Sequence, residues 1–115
     1  MGFLNLFKKK QRTMLDEIKD AATMIFRSSD KDGLSQLSDE EISKTSEEVM
    51  NSFKYVAEQR GEVIAGGHLL TIAMFHLSIQ NNLGKDMYNS HLAYELKKYA
   101  NEGLREDYKQ NLLGG

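Results

Sequence analysis

The side chains best able to do chemistry in this sequence are three histidines and the carboxylates near them, because the chain contains no cysteine. His68 and His76 are eight residues apart, which on a helix places them about 80° apart and not on one face. His91 and Glu95 are four residues apart and could share a metal ion or a hydrogen bond. Neither pair has the spacing of a metal-binding motif. We therefore expect His68 and His76 to be hydrogen-bonded histidines of a core or an interface, where a buried pair would make assembly depend on pH.

A second set of side chains with ligand oxygens lies in the segment 30–41. Asp30, Asp32, Ser38 and Glu41 stand at positions 1, 3, 9 and 12 of these twelve residues. Over this length the segment resembles an EF-hand loop, whose spacing supplies oxygen ligands to calcium, although position 5 is a leucine and position 6 a serine in place of glycine. The resemblance implies a weak calcium site formed by the four residues. The same residues also suit an ordinary connection between two helices, because Ser38 and Glu41 form the pattern of a capping box.

The first twelve residues combine large apolar side chains with a basic cluster. Phe3, Leu4 and Phe7 fall on one face of a helix. The lysines that follow them are Lys8, Lys9 and Lys10. Apolar residues next to basic ones are typical of a segment that lies at the headgroup level of an anionic membrane. The alternative is a short first segment whose phenylalanines pack on the rest of the protein.

The distribution of charge argues against some classes of function. The net charge is −2, but residues 30–62 carry nine acidic side chains against four basic ones. A basic tip on an acidic body does not suit a nucleic-acid-binding protein, which needs a broad basic surface to replace counterions. No phosphate-binding loop and no nucleophile beside a general base can be identified as a local motif. The sequence therefore predicts a protein that is not an enzyme and has no cofactor other than the calcium ion considered above.

The elements that must position these side chains are helices, and the most apolar of them lies at 63–84. The only titratable side chains in this segment are His68 and His76. A helix that is apolar almost all round has to be buried in a core, a partner or a membrane. Histidines and amide side chains are costly in hydrocarbon. We therefore interpret the segment as a core helix or a dimer helix.

Hydrophobic periodicity and stop signals predict four helices. Thr13 and Ser38 are the expected caps of the first and second helices. Gly61 should end the second helix and Gly84 the third. The fourth helix is predicted to run over 85–108.

The expected fold is all-α, a bundle of about four helices with the charge-poor third helix, around 62–82, at its centre. Residues 13–110 form one helical domain, preceded by the short segment 1–12 and followed by a frayed tail at 111–115. Four helices of this length have difficulty surrounding one of their own number completely. We therefore predict a homodimer in which the third helix makes the contact. The residues assigned to self-association are Leu69, Ile72, Phe75 and His76.

The first hypothesis for function is a small, non-catalytic, cytoplasmic protein that binds another protein and associates with itself. The acidic second helix offers a recognition surface, so binding to a basic partner should weaken with salt. One alternative is a peripheral adaptor that residues 1–12 attach to the inner face of an anionic membrane. Another is a weak calcium binder through residues 30–41. A nucleic-acid partner is not expected.

Overall fold

The structure of the chain, a computed structural model, describes residues 13–30 and 37–109. These residues form helices and contain no strand, so the prediction of an all-α bundle is confirmed. Four of the helices are long and the last is a single turn. In chain order they are α1 Met14–Ser29, α2 Asp39–Gln59, α3 Gly66–Leu83, α4 Lys85–Glu102 and α5 Glu106–Lys109.

α1 and α2 both begin with a capping box. The hydroxyl of Thr13 accepts a hydrogen bond from the N–H of Asp16 at 3.1 Å, and the Asp16 carboxylate accepts one from the N–H of Thr13 at 3.1 Å. Ser38 and Glu41 make the same two hydrogen bonds at 3.1 and 2.9 Å. Each box satisfies amides that precede the first hydrogen bond of the helix, and so fixes where the helix begins. Both caps predicted from the sequence are confirmed.

α3 is the central helix, because it contacts each of the other four helices that the structure describes. α1 and α4 both contact α3 but do not contact each other. Leu69, Ile72 and Leu77 are fully buried, and contact with four helices explains why the helix carries no fixed charge. The chain itself therefore covers most of the helix for which a second copy was predicted, but leaves Phe75 and Leu83 exposed.

No helix in the described part of the chain combines the length and apolar character needed to cross a membrane. α3 carries three polar side chains, Thr71, His76 and Gln80, that are buried inside the bundle. Its position agrees with the interpretation of this segment as a core helix.

A single residue, Gly84, joins α3 to α4. Its φ of 84° lies in a region that residues with a Cβ rarely adopt. Gly84 ends α3 and also begins α4. Its N–H donates to the carbonyl of Gln80 at 3.0 Å, and its carbonyl accepts from the N–H of Tyr88 at 3.0 Å. The two helices thus form a hairpin, named here the α3–α4 hairpin, without an intervening loop.

The prediction of one helix over 85–108 is wrong. α4 ends at Glu102, and Gly103 follows with a φ of 93°, a conformation that glycine adopts readily because it has no Cβ. Residues 103–105 are not helical, and α5 begins at Glu106. The change of direction carries Tyr108 into the protein, where it is 1% exposed.

Candidate functional site

His76 lies at the centre of a hydrogen-bonded network that joins α3, α4 and α5. The residue is fully buried. Its Nδ1 lies 3.1 Å from the hydroxyl oxygen of Tyr88, and its Nε2 lies 3.1 Å from the hydroxyl oxygen of Tyr108. The prediction of a hydrogen-bonded core histidine is confirmed for His76. His68 is only partly buried and lies in a separate cleft, so the two histidines do not form the buried pair that was considered.

The direction of each hydrogen bond follows from the carboxylate of Glu95. Tyr108 donates its single hydroxyl proton to Oε1 of Glu95 at 2.7 Å, so its oxygen accepts from the Nε2–H of His76. Nδ1 of His76 then accepts from the hydroxyl of Tyr88. Nη1 of Arg105 donates to the same Glu95 oxygen at 3.0 Å. The set formed by Tyr88, His76, Tyr108, Glu95 and Arg105 is named here the His76 network.

Burial sets the charges within this network. It lowers the pKa of His76 to about 4, against the opposing effect of the Glu95 carboxylate, so the imidazole is neutral at neutral pH. Burial also disfavours the charged form of Glu95, but hydrogen bonds from Tyr108 and Arg105 outweigh it and lower the pKa of that carboxyl. Burial raises the pKa of both Tyr88 and Tyr108. The network therefore contains one ion pair and three neutral rings.

Aromatic rings enclose the network. Phe53 of α2 lies edge to face with His76 and with Tyr108, at ring-centroid distances of 5.5 and 5.8 Å. Phe75 lies 5.5 Å from the Tyr108 ring. The cavity beside Glu95 and Tyr108 measures about 10 Å³, roughly the space of one water molecule. This arrangement can hold α5 on the bundle, but it gives a substrate no access to His76.

A second cluster repeats part of this chemistry near the surface. The Tyr99 hydroxyl donates to Oε1 of Glu62 at 2.9 Å, and Nε of Arg60 donates to the same oxygen at 3.2 Å. Burial and the bond to Glu62 raise the pKa of Tyr99 to about 12. Arg60, Glu62 and Tyr99, named here the Arg60 cluster, form one wall of an open cleft of about 520 Å³ that His68 also lines.

His91 borders the His76 network without joining it. The rings of His76 and His91 are 5.9 Å apart. Within the described part of the chain, Nε2 of His91 is buried and has no hydrogen-bond partner, while Glu95 bonds to Tyr108 and Arg105. The structure therefore shows no bond between His91 and Glu95 of the kind that their spacing allows.

The residues predicted to bind calcium lie only partly within the described residues, because Asp32 is outside them. The Ser38 hydroxyl and the Glu41 carboxylate are engaged in the capping box of α2. The Asp30 carboxylate lies 4.0 Å from the guanidinium of Arg27. Over residues 13–30 and 37–109, no group of three or more acidic, histidine or cysteine side chains is placed to hold a metal ion. Calcium binding stays a prediction.

The residues predicted for self-association are mostly inside the chain. Leu69, Ile72 and His76 are fully buried, whereas Phe75 is 37% exposed. Without opening of the bundle, a second copy could contact only Phe75 of these four. Self-association itself stays a prediction. The residues assigned to membrane contact, at 3, 4 and 7–10, lie outside the described part of the chain.

Large apolar side chains are exposed on the α3–α4 hairpin. Leu83 is 40% exposed, and Met87 and Tyr94 of α4 are 63% and 60% exposed. Met87 and Tyr94 are seven residues apart and share one face of α4. His91 lies between them and against α3. Together with Phe75 of α3, the three residues Leu83, Met87 and Tyr94 are named here the apolar face of the hairpin.

Sequence reasoning does not find Tyr108 and Arg105 as partners of a buried histidine. Helical periodicity alone assigns Tyr108 to the end of α4 and gives Arg105 no role. The signal that could reveal them is Gly103, because a glycine after a helical stretch marks a helix end. A tyrosine shortly after such a break is free to turn back on the bundle.

No family model, no curated protein and no solved structure matches this chain. The function has to be argued from the geometry of the His76 network and of the apolar face of the hairpin.

Proposed function

We propose that this protein acts by binding other protein molecules, first among them a second copy of itself, through the apolar face of the hairpin. The observation that carries the proposal is the contrast between this face and the interior. His76 and both tyrosines that bond to it are buried, whereas four large apolar side chains of one hairpin remain in contact with water. Four of the eight large apolar side chains that are exposed in the described part of the chain belong to this hairpin, and a concentration of exposed apolar side chains marks an interaction surface.

The composition and place of this face suit a protein partner. Aromatic residues and methionine are enriched at the centres of interfaces. Tyrosine often carries a large share of the binding energy there, because it offers apolar area together with a hydroxyl. α4 packs against α2 and α3 and bonds to Tyr108 of α5 through Glu95. The opposite side of α4, which includes Met87 and Tyr94, is therefore available to a partner.

The acidic surface of α2 is less suited to be the primary contact. Glu47 lies 3.0 Å from Lys19, within the chain. Asp39 lies 2.8 Å from Arg27, and Glu41 caps its own helix. We assign to the remaining carboxylates of α2 the steering of a basic partner, an effect that salt would weaken.

Substitution by lysine within the apolar face tests the proposal. Met87→Lys and Tyr94→Lys place an ammonium group where a partner must be apolar, at exposed positions where the fold should tolerate it. Met24 of α1 and Tyr55 of α2 are similarly exposed, at 66% and 63%, so Met24→Lys and Tyr55→Lys are matched controls. We expect the first two substitutions, and not the controls, to shift the molar mass from light scattering behind a sizing column towards that of the monomer.

Two outcomes would contradict this proposal. Equal effects of all four substitutions would show that the apolar face has no special role. A wild-type chain that stays monomeric up to a concentration of about 1 mM would exclude a second copy as a partner of useful affinity. Circular dichroism of each variant shows whether the helices are retained.

A further inference from the structure

The last described helix, α5, is held on the bundle by one buried side chain. It has four residues, and Tyr108 is the one among them that is buried. The Tyr108 hydroxyl bonds to His76 and Glu95, and its ring lies against Phe53 and Phe75. These four partners come from α2, α3 and α4. They form a groove, named here the Tyr108 groove, that fits a segment carrying this tyrosine.

The connection before α5 turns at one residue whose backbone conformation favours glycine. In the observed conformation, Gly103 has a φ of 93° and the chain turns back. The residues that follow Gly103 include leucine, arginine, glutamate and lysine, which are good helix formers. In the alternative conformation α4 would run straight on into α5, and Tyr108 would point away from its own bundle.

We propose that two copies of this chain exchange α5, so that Tyr108 of each copy fills the Tyr108 groove of the other. The occupant follows from the structure, because the groove is complementary to α5 and a second copy carries the identical segment. Such exchange of an identical element is a low-cost route to a dimer. The hydrogen bonds to His76 and Glu95 that form within one chain would form again between the two chains.

The exchange rests on the proposed function, since it describes how the second copy is held. Phe75 connects the two surfaces: its ring contacts Tyr108, and it is one of the exposed residues of the apolar face. A second copy that delivers its α5 to the groove therefore brings its body next to this face. The contact between the two bodies supplies the additional burial that association needs to outweigh lost translational and rotational freedom.

Gly103→Ala separates exchange from contact between closed copies. Alanine disfavours the positive φ of the closed chain and favours a straight helix. We expect the association constant of the dimer to rise at least about tenfold, measured by light scattering behind a sizing column over a series of concentrations. Gly61→Ala is the matched control, because Gly61 has a φ of 71° but lies between α2 and α3. It should lower stability without strengthening the dimer.

Two further variants test the role of Tyr108 and the length of the connection between α4 and α5. In Gly103→Ala combined with Tyr108→Ala, α5 cannot fill the groove of either copy, so the gain in association should disappear. Deletion of Leu104 shortens the connection, which hinders α5 from folding back but allows it to reach a second copy. We expect the deletion to produce a dimer. A monomer for both Gly103→Ala and the Leu104 deletion would overturn the proposal, as would a gain that survives Tyr108→Ala.

The experiments distinguish failure of the proposed exchange from failure of the proposed apolar interaction face. If Gly103→Ala strengthens the dimer while Met87→Lys and Tyr94→Lys leave it unchanged, α5 is exchanged and the proposed interaction face is wrong. If the two lysine substitutions weaken the dimer while Gly103→Ala has no effect, the face is supported and the exchange is overturned.

Discussion

The His76 network and the Arg60 cluster contain the same three chemical groups in different surroundings. In each, a tyrosine hydroxyl donates to a carboxylate, at 2.7 Å for Tyr108 and Glu95 and at 2.9 Å for Tyr99 and Glu62. In each, an arginine pairs with that carboxylate and lies over the tyrosine ring, with the guanidinium 4.8 or 5.5 Å from the ring centroid. The side chain of Glu95 is 5% exposed and that of Glu62 is 42% exposed.

This difference in burial decides what each set of groups can do. When a buried carboxylate is removed, the donors that it satisfied are left without water to replace it. At the surface, water takes over the lost hydrogen bonds, and an ion pair contributes little. The His76 network can therefore fix where α5 docks, whereas the Arg60 cluster connects the end of α2 to the last turn of α4, where Arg60 donates to the carbonyl of Ala100 at 2.9 Å.

The largest expected effect comes from removing the two carboxylates in turn. Glu95→Ala leaves the hydroxyl of Tyr108 and the guanidinium of Arg105 without their acceptor, and should lower the free energy of unfolding by about 3 kcal/mol. Glu62→Ala should shift the urea midpoint less, because the Glu62 side chain is 42% exposed and its partner Arg60 can turn to water. Urea unfolding followed by circular dichroism measures both. Equal losses would show that burial does not distinguish the two clusters.

The next largest effect is the loss of stability expected when the pH is lowered. The pKa of His76 is about 4 in the folded chain and 6.5 ordinarily, so between these values the unfolded chain binds more protons. The contribution of His76 to the free energy of unfolding is therefore complete above about pH 6.5. It decreases as the pH falls, by about 2 kcal/mol at pH 5. His76→Gln should remove this dependence. The pKa of Glu62 is lowered, chiefly by its bond to Arg60. The contribution of Glu62 to the free energy of unfolding is therefore lost only below about pH 4.5.

Urea unfolding at pH 7, 6 and 5 checks the dependence on acid. His68→Gln is the control, because His68 lies outside the His76 network. Its loss should leave the change of the free energy of unfolding with pH as it is in wild type. If the free energy of unfolding changes with pH equally in wild type and in His76→Gln, the sensitivity to acid belongs to another group.

The smallest expected effect is that of salt on the two ion pairs. The coupling between Arg60 and Glu62, obtained from a double-mutant cycle with alanine at both positions, should decrease between about 0.05 and 1 M NaCl. The coupling between Arg105 and Glu95 should persist, because Glu95 is buried and screened less. A loss of the second coupling equal to that of the first would show that solvent reaches Glu95.

The long helices were predictable because their signals are local. Ser38 and Glu41 are three residues apart and form the box that begins α2, and Gly84 ends α3 at the expected place. The His76 network was not predictable, because its hydrogen bonds join residues that are 12 and 32 positions apart in the chain. No periodicity encodes such pairs. The pair with Tyr108 also depends on the turn at Gly103, where the helix-forming residues that follow the glycine concealed the break.

The junction at Gly84 limits how the length of this chain can change over evolutionary time. One residue inserted between α3 and α4 would rotate every side chain of α4 by about 100° around the helix axis. Tyr88, Leu92 and Glu95 would turn away from the core together, and no loop is present to absorb the shift. Insertions and deletions in related sequences should therefore avoid the α3–α4 junction.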